Sequence, residues 1–257
     1  MGVVEVMTRD GVMTVTLADV ENRNALGAAL LEGLHDAIAA ANADDSVRAV
    51  VVTNRGTTFC AGANLKERSG AARSAAPSIS FEKLLDVIQG SPTPVIGRIA
   101  GHVVGGGNGL AAALDISIAA EDVKFGFTEV RLGVAPAIIS VVCLPKMRPG
   151  EAMEAFLRGH RFPASRAAEL GLINRAVPAA QLDAAVAEVL ADLRKGGPNA
   201  LGFAKQLVHQ VPRMAQKEAV QWTSRLSAEL FAGQEAAEGM AAFLGKRKPS
   251  WATDGDD

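Results

Sequence analysis

Two glycine-rich segments, each placed directly after a β-branched run, set the strongest constraint on how this chain can fold. The first is Phe59-Cys60-Ala61-Gly62-Ala63-Asn64-Leu65, preceded by Ala49-Val50-Val51-Val52-Thr53. The second is Ala100-Gly101-His102-Val103-Val104-Gly105-Gly106-Gly107-Asn108-Gly109, preceded by Pro94-Val95-Ile96-Gly97-Arg98-Ile99. Each leads from a strand into a tight turn or a helix start, where backbone N–H groups lack an internal partner. Two such donors converging on one point make an oxyanion hole for a developing enolate or alkoxide. The pattern points to carbonyl chemistry with no metal and no glycine-rich nucleotide loop.

The bulk properties narrow the class further. A chain of 257 residues is one large domain or a domain with an appendage. Aromatic residues are only 4%, with no tyrosine, so the core is built from small and aliphatic side chains. The net charge of −2, with acids and bases interspersed, leaves no nucleic-acid footprint. Cys60 and Cys143 have neither zinc nor disulfide spacing, which fits a reducing, cytosolic compartment. Met1–Thr8 reads as a strand rather than a targeting leader. The one membrane-like stretch, Ile99–Ala120, is broken by glycines and by His102, Asn108 and Asp115. A spanning helix needs about 20 predominantly apolar residues, so no membrane partner is expected.

Along the chain, Val3–Met7 and Val12–Leu17 flank Asp10-Gly11 and predict a β-hairpin. A helix follows over Gly27–Asn42, with Leu30, Leu31, Leu34, Ile38 and Ala41 on one face. The Ala/Ser/Gly-rich run Ser69–Ser80 reads as a mobile loop and Phe81–Gln89 as a short helix. Strand, crossover helix and strand recur through Ala119, which argues for an α/β core with parallel pairing. From Pro149 the pattern turns helical: Glu151–Leu157, Ala164–Leu170, Ala179–Arg194, Asn199–Gln210, Met214–Phe231 and Glu235–Leu244, with a brief strand at Ile173–Val177. Lys195-Gly196-Gly197-Pro198 marks a boundary between an α/β core (1–195) and a C-terminal helical region (196–257) whose apolar face packs on its own core or on a neighbouring subunit.

Six segments in order resemble the crotonase (enoyl-CoA hydratase/isomerase) family over nearly the whole length. They are Asn22-Arg23-Asn24-Ala25-Leu26, the two glycine segments, Phe125–Pro136, Ala164–Leu172 and Glu238–Pro249. The resemblance implies an α/β fold, a ClpP-like spiral of repeated ββα units, with the C-terminal helices driving assembly as a homotrimer or dimer of trimers. It implies an acyl-CoA substrate, no metal and no cofactor beyond the coenzyme A that is part of the substrate. The backbone N–H groups of Ala63 and Gly106 would form the oxyanion hole, and Glu129 would be the catalytic carboxylate. Arg23, Ala61, Asn64, Leu65 and Lys66 would bind the CoA portion. The physics agrees at two points. Free N–H groups and the helix dipole favour negative charge beside Gly106. A glutamate among Phe125, Phe127, Val130 and Leu132 should be partly buried, with its pKa raised toward neutrality.

The chain also departs from the family pattern. Two-glutamate hydratases carry their first glutamate at the position of Gly109, and dienoyl isomerases carry a further acid at the position of Ala137. Pro136-Ala137-Ile138 offers no nucleophilic aspartate for dehalogenation. With Glu129 alone, double-bond migration from a 3-enoyl-CoA to a 2-enoyl-CoA is mildly favoured over hydration. Hydration by one carboxylate and an ordered water, and a catalytically silent CoA-binding scaffold, remain the alternatives. Asn64 stands where the family usually has aspartate and reads as structural. Asn108 reads as a packing or capping residue before a water-orienting one, His102 as a structural histidine and Cys60 as a buried filler. Asp115 and Ser117 lack a nearby histidine for a serine triad. Lys246-Arg247-Lys248 would meet the nucleotide end of CoA or complement a helix C-terminus.

Overall fold

The computed structural model describes residues 2–69 and 78–252; most of the loop expected over Ser69–Ser80 lies outside them. Strands β1 (Val4–Arg9) and β2 (Val12–Leu17) form the expected hairpin. Asp10 and Gly11 both take positive φ, 49° and 72°, the turn geometry whose twist matches the flanking strands. Helix α1 (Ala28–Asn42) then buries Leu30, Leu31, Leu34, Ile38 and Ala41, the apolar stripe read from the sequence.

The strands that follow come in pairs. β3 (Ala49–Asn54) and β4 (Thr58–Cys60) precede helices α2 (Leu65–Arg68) and α3 (Phe81–Gly90). β5 (Val95–Ile99) and β6 (His102–Val104) precede α4 (Gly106–Ala113), and β7 (Ile116–Ala120) and β8 (Lys124–Gly126) come next. After a 3-10 turn at Glu129–Leu132 come α5 (Ala137–Cys143), α6 (Pro149–Arg158), β9 (Arg161–Pro163), α7 (Ala164–Glu169) and β10 (Arg175–Val177). Helices α8 (Leu182–Lys195), α9 (Pro198–Gln210), α10 (Gln216–Ala232) and α11 (Gln234–Leu244) complete the chain.

The first strand of each pair enters a six-stranded sheet ordered β1-β2-β3-β5-β7-β10, and the second enters a four-stranded sheet ordered β4-β6-β8-β9. Each ββα unit therefore advances one strand in both sheets at once, which is the expected spiral. Pairing is parallel except between β1 and β2 and between β8 and β9. Val50, Val51 and Val52 are all buried, because a parallel sheet covered on both faces needs apolar residues without alternation.

Three features differ from the sequence reading. The small sheet went unread because three-residue strands carry no periodicity. Residues 137–143 form a helix, α5, although no element was assigned to them; Pro136 stands at its N-cap. The helix expected from Ala179 begins as a 3-10 turn over Ala179–Gln181. The membrane-like stretch Ile99–Ala120 is divided among β5, β6, α4 and β7, and no helix among the described residues is long and apolar enough to cross a membrane.

The C-terminal helices are tied to the spiral at polar points. The Arg48 guanidinium donates to Gly196 O (2.7 Å) and Trp251 O (2.9 Å), and Lys205 Nζ pairs with Asp115 Oδ2 at 2.8 Å.

Candidate active site

β4 and β6 are neighbours in the small sheet, so the two glycine segments, far apart in sequence, leave the sheet side by side. The approach is close. A Cβ added at Gly62, where φ is 83°, would stand 2.8 Å from the Gly106 nitrogen. One added at Gly106 would stand 3.4 Å from Gly62 Cα and 3.7 Å from the Ala63 nitrogen. The amides of Ala63 and Gly106 are thereby neighbours. Gly106 opens α4, and the first N–H of a helix has no intrahelical carbonyl to bind. Among the described residues neither amide donates in any backbone turn, loop or cap bond.

Glu129 stands at the same helix terminus. Gly105, the N-cap of α4, has φ 55° and ψ −127°, a conformation open to glycine. A Cβ there would lie 3.6 Å from Glu129 Oε1. Glu129 is half-buried, and its Oε2 is buried with no hydrogen-bond partner among the described residues. Burial holds its pKa above that of an ordinary glutamate, opposed by a hydrogen bond from its own backbone N–H. Of the four apolar neighbours expected to shield it, Phe125 and Phe127 are fully buried, whereas Val130 and Leu132 are exposed (36% and 60%).

These groups line a cleft of about 750 Å³. Ala61, Ala63, Asn64, Leu65, Gly106 and Glu129 all face it, together with Thr128, Leu132 and the first turn of α5. Arg23 and Lys66 do not line it. Both are exposed; Arg23, at φ 56°, accepts the Ala61 amide through its carbonyl, and Lys66 Nζ reaches Asn22 Oδ1 at 3.5 Å.

The position of the absent second glutamate has a physical occupant. A Cβ added at Gly109 would fall within the Ile139 Cγ2 methyl and 2.8 Å from the Ile139 Cβ. Ile139 is 2% exposed and belongs to α5. Gly109 is therefore a packing site with no room for a side chain, and Ile139 supplies the wall there. The sequence reading missed this, because Ile139 lies in the unread helix.

Glu67 is a second functional-site residue that the sequence reading passed over. It lines the cleft, accepts the Ala28 amide at the start of α1 (3.3 Å) and accepts Asn64 Nδ2 (2.9 Å). Asn64 itself is the N-cap of α2, its Oδ1 accepting the amides of Lys66 and Glu67 at 3.2 and 3.4 Å. Its carboxamide is structural and also faces the cleft.

The remaining candidates are structural. His102 Nδ1 accepts the Lys124 amide at 3.0 Å. Asn108 Nδ2 donates to Gly105 O (3.0 Å) and Gly126 O (2.9 Å), tying α4 to β8. Cys60 is buried and its thiol is pushed up to about 12; Cys143 is buried and also raised. Arg247 is held bidentately by Glu238 at 2.7 Å. Among the described residues, no group of three or more His, Cys, Asp or Glu side chains is placed to hold a metal ion.

A two-sheet ββα spiral that brings paired amides and one half-buried glutamate to a single helix N-terminus defines a crotonase-type enzyme. The chain belongs to the enoyl-CoA hydratase/isomerase family, whose profile matches residues 7–254. The fold is similar to that of AtuE from Pseudomonas aeruginosa, at TM-score 0.90 and 32% identity over 98% of this chain and 100% of that one. It is similar to an enoyl-CoA hydratase from Mycobacterium smegmatis, at TM-score 0.88 and 30% identity over 98% and 100%. The sequence is 30% identical to the mevalonyl-coenzyme A hydratase sidH of Aspergillus fumigatus over 93% of this chain and 91% of that protein.

Proposed function

We propose that the cleft takes an unsaturated acyl-CoA, holds its thioester oxygen on the Ala63 and Gly106 amides, and moves its double bond from C3–C4 to C2–C3 with Glu129 as the one proton carrier. The Glu129 carboxylate removes a proton from C2. The electrons pass through the carbonyl to a dienolate whose oxygen accepts both N–H bonds. The protonated Glu129 then returns the proton at C4, leaving the conjugated thioester. A pKa raised by burial makes this carboxylate a stronger base once ionised and a usable acid once protonated.

The observation that carries this reading is the overlap of Gly109 with Ile139. The place where two-glutamate hydratases keep their other acid is filled by a methyl group, so no second carboxylate stands at that position to activate water. Mixing the protein with a short 3-enoyl-CoA tests it: conjugated-thioester absorbance should grow, and Glu129→Gln should abolish the growth. Hydration by one carboxylate is the second reading, supported by the names that the relatives carry. Inertness toward both 3-enoyl-CoA and 2-enoyl-CoA, with CoA binding intact, would favour a silent scaffold.

Arg23 and Lys66, exposed beside the cleft, would meet the CoA phosphates as it leaves, while Ala61, Asn64 and Leu65 contact its inner portion. The helical region would assemble the chain into a trimer or dimer of trimers. Its exposed Val220, Phe231, Met240, Phe243 and Leu244 support this, since apolar surface of this kind marks interaction sites. A cytosolic setting fits the two buried free thiols.

A further inference from the structure

The oxyanion-side helix α4 has two ends, and the far one carries an unusual charge arrangement. Lys146 Nζ donates to Leu114 O, the C-cap carbonyl of α4, at 3.0 Å. Ser117 Oγ donates to Ala111 O at 2.7 Å within the same terminal turn. The next residue, Asp115, pairs with Lys205 Nζ at 2.8 Å, and the two side chains are 12% and 9% exposed. Asp115 Oδ2 also accepts the Val95 amide at 2.7 Å, and Lys205 donates to Thr93 O and Ile88 O. Two ammonium groups thus share one carboxylate inside the protein.

The net effect of the surroundings is to hold both lysines below the usual lysine range, with burial the larger cause. Burial disfavours the charged forms of Lys146 and Lys205, while the neighbouring Asp115 favours them. His209, half-buried nearby, is pushed toward its neutral form by burial, and Arg213 adds positive charge on the same side. A helix presents its negative end at the C-terminus, so cations there are favourably placed.

We propose that Lys146 is a positioning residue for the oxyanion site: its charge, seated at the C-terminal end of α4, strengthens the hold of the Gly106 amide on a developing anion. The inference rests on the oxyanion reading above. Eight residues of helix separate the two ends, about 12 Å at 1.5 Å per residue. With the ammonium 3.0 Å beyond Leu114 O and an anion about 3 Å beyond the Gly106 amide, the charge acts over about 18 Å and alters formation of the anion by about two- to fivefold. Lys205, drawn from the C-terminal helical region, holds Asp115 and so leaves Lys146 without a full counter-charge. The helical region would thereby contribute to the field at a site it does not line.

The sign of the effect distinguishes charge from packing. The probe is cinnamoyl-CoA, a conjugated thioester whose absorbance moves to longer wavelength when N–H donors polarise its carbonyl. Wild-type protein should red-shift it. Lys146→Met should diminish the shift, whereas Asp115→Asn, which removes the negative member of the cluster, should leave a shift no smaller than wild type. An unchanged shift in Lys146→Met, or a shift diminished in Asp115→Asn as well, would overturn the proposal. If Lys146→Met does not fold, Asp115→Asn decides alone by the same criterion. Bound cinnamoyl-CoA with no red shift in the wild type would instead sink the oxyanion reading itself.

Discussion

Asn64 Nδ2 donates to Glu67 Oε1 across 2.9 Å, and the other oxygen of Glu67 accepts the Ala28 amide. The bond fastens the turn that carries Ala63 to the start of α1. Leu26 N, donating to Gly62 O at 2.7 Å, adds a second tie between the same two segments. An asparagine is required for this role as built, since a carboxylate at position 64 would have no N–H to offer Glu67. A double-mutant cycle of Asn64→Ala and Glu67→Ala should give a coupling of about 1 kcal/mol, measured by denaturant unfolding. Strict additivity would show that the pair does not fasten the turn.

Glu129→Gln should lower turnover by about 10²–10⁴-fold without loss of folding. Its effect on stability has a definite sign. The folded-state pKa of Glu129 is raised, so ionising it in place costs stability that the unfolded chain does not lose. That cost appears as pH rises through the folded pKa. The variant should therefore melt at the same temperature as wild type or higher at pH 7–8, with the difference vanishing at acidic pH where Glu129 is protonated in both states. A variant that melts lower at neutral pH would contradict a carboxylate whose Oε2 is buried without a hydrogen-bond partner.

The same shift sets a pH profile. As the base, Glu129 must be ionised, so kcat/KM should rise with pH through a pKa above that of an ordinary glutamate. The limb should disappear in Glu129→Gln. A limb at the ordinary glutamate value would mean that the carboxylate is solvated in the working enzyme.

Gly109→Glu should fail as a route to a two-carboxylate site. Its side chain would have to displace Ile139, and overpacking of this kind costs about 1–3 kcal/mol. Adding Ile139→Ala should recover part of that loss, read as a rise in Tm of the double variant over Gly109→Glu. If Gly109→Glu alone is as stable as wild type, Ile139 does not fill the position.

Gly62→Ala tests the close approach at the amides. The residue sits at φ 83°, and a Cβ would lie 2.8 Å from the Gly106 nitrogen. The left-handed conformation alone costs about 1–2 kcal/mol for a residue with a Cβ. Turnover should fall by about 100-fold, the lower end of the range for a lost oxyanion donor, while binding of CoA changes little.

The legible parts of this chain were those with local signatures. The Asp10-Gly11 hairpin, the Leu30–Ala41 stripe and the two strand-to-glycine junctions each announce themselves within a short window. The structural reading of His102 and Asn108 followed from how such side chains behave near turns, although their partners could not be named. What stayed hidden depended on distance. Three-residue strands such as β4 and β6 show no period, although they bring Ala63 and Gly106 together. Gly109 reads as a missing acid in the sequence, and only its contact with Ile139, thirty residues on, shows why no side chain fits. Glu67 was passed over because its partner, Ala28 N, belongs to another helix.

The most direct test of a single-carboxylate isomerase is the ratio of kcat/KM for a short 3-enoyl-CoA to that for hydration of the matching 2-enoyl-CoA, measured on one preparation beside Glu129→Gln. The predicted result is faster isomerisation than hydration, with isomerisation lost in the variant. Faster hydration, or isomerisation that persists without Glu129, would contradict it.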